Sequence, residues 1–191
     1  MFIRTQRLFL RPGWVEDAPA LARAIAHESV VRMLARAPWP YREDDAAAFL
    51  AAPRDPRLPS LLVTLPGETG RIVGGCTLNR GDRGAAEVGF WITPSHQRRG
   101  FAREALAALI DAARLLRHRR LAGRQAIDNP ASGAVLRAAG FRATGESGPF
   151  RSPARERAVP AMDYALPLID GDSPPPDWTR RPAYAEGAAA A

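Results

Sequence analysis

The chain has 191 residues, of which 46% are hydrophobic, and this length and composition predict one globular domain with a substantial core. Its net charge is +7, and all 27 basic residues are arginine. The absence of lysine excludes a lysine Schiff base and a phosphate loop of the Gly-Lys-Ser/Thr type. The positive charge favours an anionic partner, either nucleic acid or a phosphorylated cofactor, but the scattered arginines weaken the case for nucleic acid.

Cysteine usage and hydropathy exclude several further classes of protein. Cys76 is the single cysteine, so neither an intrachain disulfide nor a thiolate metal cluster can form, and its apolar surroundings predict a buried strand thiol. No cluster of histidine, cysteine and carboxylate indicates a metal site. The first residues do not form a signal peptide and no apolar stretch is long enough to span a bilayer, so we expect a cytoplasmic protein without membrane association.

The first half of the chain predicts a strand, helices and then three more strands. Phe2 to Arg11 indicates one strand, and the apolar spacing from Glu16 to Ala26 indicates a helix that residues 30–34 extend or repeat. Residues 43–52 predict a second helix that ends at a proline. Three strands separated by turns follow, over residues 60–65, 72–78 and 87–92.

The second half predicts alternating helices and strands. Phe101 to Leu116 has the strongest helical pattern. A strand, a helix, a further strand, a loop and a last strand follow, over residues 121–127, 129–139, 141–144, 146–157 and 158–166. This order predicts a mixed α/β (α+β) domain over residues 1–169, with a parallel strand–helix–strand unit around residues 87–127. The Pro- and Ala-rich composition of residues 170–191 indicates a C-terminal tail.

The most informative segment is the turn Gln97-Arg98-Arg99-Gly100-Phe101-Ala102, which joins an apolar strand to the longest helix. Exposed backbone amides at a helix start, together with the helix dipole, form a seat for a phosphate-bearing ligand. Gly100 lets the backbone approach a diphosphate closely, and Arg98, Arg99 and Arg103 can screen phosphates. The alternative is an ordinary strand–helix turn with solvated arginines, because one Gly-rich turn is a weak signal.

This turn resembles the acetyl-CoA signature of the GNAT acyltransferases, Gln/Arg-x-x-Gly-x-Gly/Ala. Four further blocks, in the order of that family, resemble its ribosomal-protein-alanine/serine N-acetyltransferase branch; they lie at residues 5–11, 86–94, 129–136 and 139–141. The resemblance implies the GNAT fold, with a mostly antiparallel central sheet, two splayed parallel strands and flanking helices. It also implies an acetyl-CoA-dependent N-acetyltransferase that needs no metal.

The resemblance assigns roles to individual residues. The main chain of Trp91 and Ile92 would bind the pantetheine arm of CoA, and a main-chain N–H there would face the acetyl oxygen. Asn129 would hydrogen-bond the arm, Ser132 would protonate the leaving thiolate, and Glu87 would be the general base. The alternatives are helix capping for Asn129 and Ser132 and an arginine partner for Glu87. The implied cofactor-binding set is Trp91, Ile92, Gln97, Arg98, Arg99, Gly100, Phe101, Ala102, Arg103, Asn129 and Ser132.

The residues that bind the acceptor are the hardest to identify from the sequence. We expect residues 28–41 and 146–157 to form its pocket beside Glu87, with Trp39, Tyr41 and Phe150 as walls, although aromatics at turns also serve as ordinary covers over a core. The acceptor is either a protein N-terminal α-amine or a small-molecule amine, and a homodimer is a family-level expectation. Two other functions stay open: a non-catalytic acyl-CoA sensor and an arginine-rich nucleic-acid-binding module.

Overall fold

The computed structural model of the protein describes residues 1–67, 70–81 and 85–168. The predicted tail at 170–191 lies outside the described residues. The strands are β1 (Ile3–Arg4), β2 (Phe9–Arg11), β3 (Ser60–Thr64), β4 (Ile72–Arg80), β5 (Ala86–Ile92), β6 (Arg120–Ala126), β7 (Arg142–Phe150) and β8 (Val159–Pro167). The helices are α1 (Ala18–Ile25), α2 (Glu28–Val31), α3 (Glu43–Ala51), α4 (Phe101–Leu115) and α5 (Pro130–Ala138).

The eight described strands form one sheet in the order β1-β2-β3-β4-β5-β6-β8-β7. Every neighbouring pair is antiparallel except β5 and β6, which are parallel and are joined through α4. The mixed, mostly antiparallel sheet predicted from the sequence is therefore confirmed. The last strand lies between β6 and β7, and β7 extends to Phe150, so the predicted loop over 146–157 is partly strand.

The predicted single strand over residues 2–11 is wrong, because the chain reverses at residues 5–8 and forms the hairpin β1–β2. Two hydrogen bonds between Thr5 and Leu8 close this turn. The Thr5 backbone N–H donates to the Leu8 carbonyl at 3.0 Å, and the Thr5 Oγ1 accepts the Leu8 N–H at 3.0 Å. Threonine competes with the strand ladder in this way because its short hydroxyl reaches neighbouring main-chain groups.

Two hydrophobic cores lie on opposite faces of the sheet, because successive strand side chains alternate between faces. In β3, Leu61 and Val63 join the core that contains α4, whereas Leu62 joins the core that contains α1 and α3. The side chain of Trp91 packs on this second face across Gly75, where a Cβ would lie 2.7 Å from the Trp91 Nε1.

A gap opens in the middle of the sheet between the parallel strands. β5 and β6 pair only at Ala86–Leu121 and Glu87–Ala122, and the remaining residues of the two strands form no further pair. Two parallel strands that pair at one end and then separate leave main-chain N–H and C=O groups facing the opening. The splayed parallel strands that the family resemblance implies are confirmed. No helix among the described residues is both long and apolar enough to cross a membrane.

Candidate active site between β5 and β6

The register between β4 and β5 determines where the main chain of Trp91 points. Thr93 N–H donates to the Val73 carbonyl at 2.9 Å, and the register pairs Gly75 with Trp91. Residues that exchange hydrogen bonds alternate with residues that do not along an antiparallel ladder. Trp91, two residues from Thr93, therefore exchanges its main-chain hydrogen bonds with Gly75.

Main-chain groups of alternate residues face the gap from both sides. By the same alternation, Phe90 and Ile92 direct their N–H and C=O groups away from β4 and toward β6. On the other side, the Ile127 N–H donates to the strand beyond, β8, at 2.9 Å. The alternation along β6 then directs the main chain of Arg124 and Ala126 toward the gap. The Ala126 carbonyl already accepts the Asn129 N–H at 2.8 Å, so an extended ligand inserted here meets the Ala126 N–H on this wall and the main chain of Phe90 and Ile92 on the other.

This register corrects one residue of the predicted arm-binding set. The main chain of Trp91 is engaged with β4 and its side chain packs on the other core, so it is the main chain of Phe90, not of Trp91, that faces the gap. Ile92 keeps a main chain that faces the gap, and its carbonyl accepts the Gln97 Nε2 at 2.9 Å. Gln97 thereby fastens the turn that follows to the open end of β5.

The turn after β5 presents free amides at the start of α4. Arg98 and Gly100 both adopt left-handed backbone conformations, with φ of 61° and 80°. Among the described residues no acceptor is found for the amides of Gly100, Phe101, Ala102 and Arg103, and no side chain caps the helix. These amides and the positive end of the helix dipole lie beside the open end of the gap, an arrangement that suits an anion.

The side chains of this turn divide between solvent and core. Arg98, Arg99 and Arg103 are exposed, whereas Phe101 is buried and Ala102 is half-buried against the core. His96, the residue before Gln97, is only 5% exposed. It is buried because the short 3-10 helix Pro94–His96 folds back, so that its ring stacks 6.5 Å from Phe101 and its Nδ1 lies 2.9 Å from the Ser95 hydroxyl.

Asn129 and Ser132 lie at the start of α5. The Asn129 Oδ1 accepts the Ser132 N–H at 3.2 Å, and Pro130 occupies the first helical position. The capping role considered from the sequence is therefore present. It uses the side-chain oxygen of Asn129 and the backbone of Ser132, so the Asn129 amide nitrogen and the Ser132 hydroxyl remain available to a ligand.

Glu87 lies at the closed end of the gap, where β5 and β6 still pair. Its side chain shares a face of β5 with Trp91, because side chains four positions apart in a strand point the same way. It is half-buried and lies opposite Asn79 of β4. This face is covered by α1 and α3 rather than by α4.

The two segments expected to form the acceptor pocket contact each other. In the connection between β7 and β8, the Ser152 hydroxyl donates to the Val31 carbonyl at 3.3 Å and the Arg155 Nε donates to the Arg32 carbonyl at 2.7 Å. Arg155 also donates from both terminal nitrogens to Asp128, at 2.8 and 3.0 Å. Sequence reasoning missed this cluster because its members are far apart in the chain.

The three predicted aromatic walls differ in exposure. Trp39 is 41% exposed, whereas Tyr41 and Phe150 are buried in separate clusters. Burial, with a smaller contribution from Asp45, raises the pKa of Tyr41 to about 12, so its hydroxyl stays protonated. Tyr41 and Phe150 therefore match the alternative interpretation given for these aromatics, in which they cover the core instead of lining a pocket. In the described part of the chain no group of three histidine, cysteine or acidic residues could hold a metal.

Comparisons with known proteins agree with this geometry. The family model of the acetyltransferase (GNAT) domain matches residues 7–142. No protein of curated function matches the sequence significantly.

Solved structures show the same fold at low sequence identity. A putative ribosomal-protein-serine acetyltransferase from Vibrio cholerae is 24% identical with a TM-score of 0.70, over 87% of this chain and 97% of that one. The ribosomal-protein-S5-alanine acetyltransferase from Vibrio fischeri is 15% identical with a TM-score of 0.74, over 91% and 100%. The spermidine N-acetyltransferase from Vibrio cholerae, in complex with CoA and spermine, is 17% identical with a TM-score of 0.71, over 86% and 97%.

Proposed function

The chain belongs to the GNAT acetyltransferase family and is an acetyl-CoA-dependent N-acetyltransferase, and we propose that its acceptor is the α-amine of a protein N-terminus. One observation carries the proposed site: the gap between β5 and β6 opens directly beside the free amides at the start of α4. A ligand with a diphosphate at one end and an extended, amide-bearing arm at the other fits this pair of features.

The residues present fit CoA. The amides of Gly100 to Arg103 hold the diphosphate, with Arg98, Arg99 and Arg103 as the surrounding positive charge. The main chain of Phe90 and Ile92 binds the amide groups of the arm, as a neighbouring strand would. The Asn129 side-chain nitrogen donates to the same arm from the first turn of α5.

Acetyl-CoA supplies a thioester whose carbonyl carbon accepts the amine and whose sulfur leaves. The main-chain N–H groups facing the gap stabilise the negative charge that develops on the carbonyl oxygen, which is typically worth a few kcal/mol per donor. Glu87 takes a proton from the acceptor ammonium, directly or through water, and so exposes the nitrogen lone pair. Ser132 donates its hydroxyl proton to the departing sulfur and takes up the second proton, which the nitrogen loses as the amide forms.

Charge favours a peptide over a polyamine as the acceptor. The chain carries a net charge of +7, which repels polycations. Asp128, the carboxylate between the two acceptor segments, already binds Arg155 and lies 3.9 Å from Arg32. Two of the similar solved structures are named as ribosomal-protein acetyltransferases, one of them putative, whereas the spermidine enzyme was solved with spermine. A single α-amine needs only one proton acceptor at the site, the role given to Glu87.

The test compares acceptors at fixed acetyl-CoA. Peptides that begin with alanine or serine, the same peptides with blocked N-termini, and spermidine are assayed for thiol release and for the mass gain of one acetyl group. We expect turnover with free peptide N-termini only. Turnover with spermidine but with none of the peptides would show that the acceptor is a polyamine rather than a protein N-terminus. CoA binding without thiol release for any amine would indicate the alternative function, a non-catalytic acyl-CoA sensor.

The role of Glu87 is tested by substitution. We expect Glu87→Gln to lower kcat about 100-fold, the lower end of what a general base contributes. Glu16→Gln, at an exposed glutamate of the short 3-10 helix Val15–Asp17, is the control and should keep wild-type kcat. An unchanged kcat in Glu87→Gln would assign the proton transfer to another group.

A further inference from the structure

Arg7 reaches the turn that precedes α4 from the hairpin between β1 and β2. Its Nη1 donates to the Arg99 carbonyl at 2.8 Å, and its guanidinium lies 4.9 Å above the ring centre of Phe101. A Cβ built on Gly100 would be 3.2 Å from the Arg7 Nη2. One arginine, 92 positions away in the chain, therefore touches three consecutive residues of the turn.

Glu104, in the first turn of α4, holds Arg7 in place. Its carboxylate accepts hydrogen bonds from the Arg7 Nε and backbone N–H, both at 2.8 Å, and from the Thr5 hydroxyl at 2.6 Å. The Arg7 Nη2 lies 2.7 Å from Oε2, the carboxylate oxygen that also accepts the Arg7 Nε, whereas Oε1 accepts the Arg7 N–H and the Thr5 hydroxyl. Burial raises the pKa of Glu104, but the hydrogen bonds from Thr5 and Arg7 outweigh burial and lower the pKa below its usual range.

The contact with Arg99 controls the direction of an amide that faces the ligand. A trans peptide unit is planar, and its C=O and N–H point in opposite directions. Since the Arg99 carbonyl points at Arg7, the N–H of Gly100 in the same peptide unit points away from Arg7. This N–H is one of the amides for which no acceptor is found among the described residues.

The Arg7–Glu104 ion pair also reduces the repulsion between the Glu104 carboxylate and a diphosphate bound at the start of α4. A carboxylate in the first turn of α4 stabilises the helix through its dipole but repels a diphosphate bound at the same end. Arg7 and Thr5 together bind both carboxylate oxygens of Glu104. The Glu104 side chain therefore points toward the hairpin, and the positive charge of Arg7 compensates its negative charge. The dipole and the free amides then act on the ligand without an opposing negative charge.

We propose that Arg7, oriented by Glu104 and Thr5, is a positioning residue that fixes the diphosphate-binding amides of the Arg99–Gly100–Phe101 turn. The proposal rests on the proposed use of acetyl-CoA. It predicts that substituting Arg7 lowers affinity and kcat/KM only for ligands that carry the diphosphate. Acetyl-pantetheine has the thioester and the arm but neither the diphosphate nor the nucleotide, so it separates the two effects.

The experiment measures Arg7→Gln against wild type. We expect kcat/KM for acetyl-CoA to fall about tenfold and the calorimetric Kd for CoA to rise by the same factor, as for the loss of a hydrogen bond to a charged group. kcat/KM for acetyl-pantetheine should not change. Arg7→Lys keeps the charge but not the forked contacts, and it should lose nearly as much.

The control is Arg11→Gln, at the far end of β2. Arg11 also forms a forked ion pair, with both terminal nitrogens 2.7 Å from the Asp17 carboxylate, but it does not contact the turn. Arg11→Gln should lower Tm and leave the preference for acetyl-CoA over acetyl-pantetheine unchanged. Equal losses with both thioesters in Arg7→Gln, or an unchanged Kd for CoA, would overturn the proposal. Wild type that binds no CoA would instead overturn the proposed function.

Discussion

Arg155 and Asp128 form a forked ion pair, with N···O distances of 2.8 and 3.0 Å, that joins the β7–β8 connection to the residue preceding Asn129. Arg155 also binds the Arg32 carbonyl, so one buried guanidinium connects the two segments proposed to form the acceptor pocket to the start of α5. Hydrogen bonding with Arg155 is the main cause of the lowered pKa of Asp128, which keeps the pair ionised at neutral pH.

Breaking this pair should affect the acceptor more than the cofactor. We expect Asp128→Asn to raise KM for the peptide acceptor on the order of tenfold, because a small misplacement of a bound reactant is costly, and to leave KM for acetyl-CoA within about twofold. Asp17→Asn, which breaks the comparable pair with Arg11, is the matched control. Equal increases in both KM values would mean that the pair only stabilises the fold.

Gly100 tests whether the backbone of the turn binds the cofactor. Alanine at φ of 80° is strained, and its Cβ would meet Arg7 at 3.2 Å. Gly145 has φ of 79° with nothing within 4 Å of a built Cβ, so Gly145→Ala carries the same backbone penalty without that contact. Each variant should lose about 1 kcal/mol of unfolding free energy.

Only Gly100→Ala should weaken CoA binding, because only that turn presents its amides to the diphosphate. The readouts are denaturant unfolding for stability and calorimetry for the Kd of CoA. If Gly145→Ala weakens CoA binding as much as Gly100→Ala does, the loss reflects general destabilisation rather than the geometry of the turn.

Ser132→Ala should slow turnover without weakening the fold. The cap of α5 uses the backbone N–H of Ser132 and the side chain of Asn129, so it survives the substitution. We expect kcat to fall about 100-fold, the lower end of general-acid catalysis, while the Kd for CoA and Tm stay near wild type. Ser60→Ala, at a half-buried serine of β3, is the control. Equal kcat in wild type and Ser132→Ala would remove Ser132 from the mechanism.

Cys76 should be inert in the folded protein. It is fully buried, and burial raises the pKa of its thiol to about 12, so it presents no thiolate to a disulfide reagent at neutral pH. We expect no reaction in the native state and one thiol per chain after denaturation. An assay of CoA thiol release would then carry no background from the enzyme. Rapid reaction of the native thiol would show that β4 opens readily.

The sequence predicts the local features of the site and misses the long-range ones. The turn at Gly100, the helix that follows and the cap at Asn129 depend on neighbouring residues, and the structure contains all three. The main-chain directions at Phe90 and Trp91 depend on the register with β4, which sequence periodicity does not determine.

The remaining misses have the same cause. Thr5 breaks the first predicted strand through hydrogen bonds to Leu8, and this break brings Arg7 to a residue 97 positions away, Glu104. Arg155 finds Asp128 only because β8 inserts between β6 and β7 and turns the preceding connection toward α2. Such contacts follow from the order of all the strands in the sheet, of which the sequence predicts only the parallel unit around residues 87–127.

A crystal structure of the protein with CoA tests the central claim most directly. The account predicts diphosphate oxygens within hydrogen-bonding distance, about 2.7–3.2 Å, of the amides of Gly100, Phe101 and Ala102. It also predicts the pantetheine arm between β5 and β6, with hydrogen bonds to the main chain of Phe90 rather than Trp91. CoA bound elsewhere, or an arm that does not enter the gap, would contradict the account.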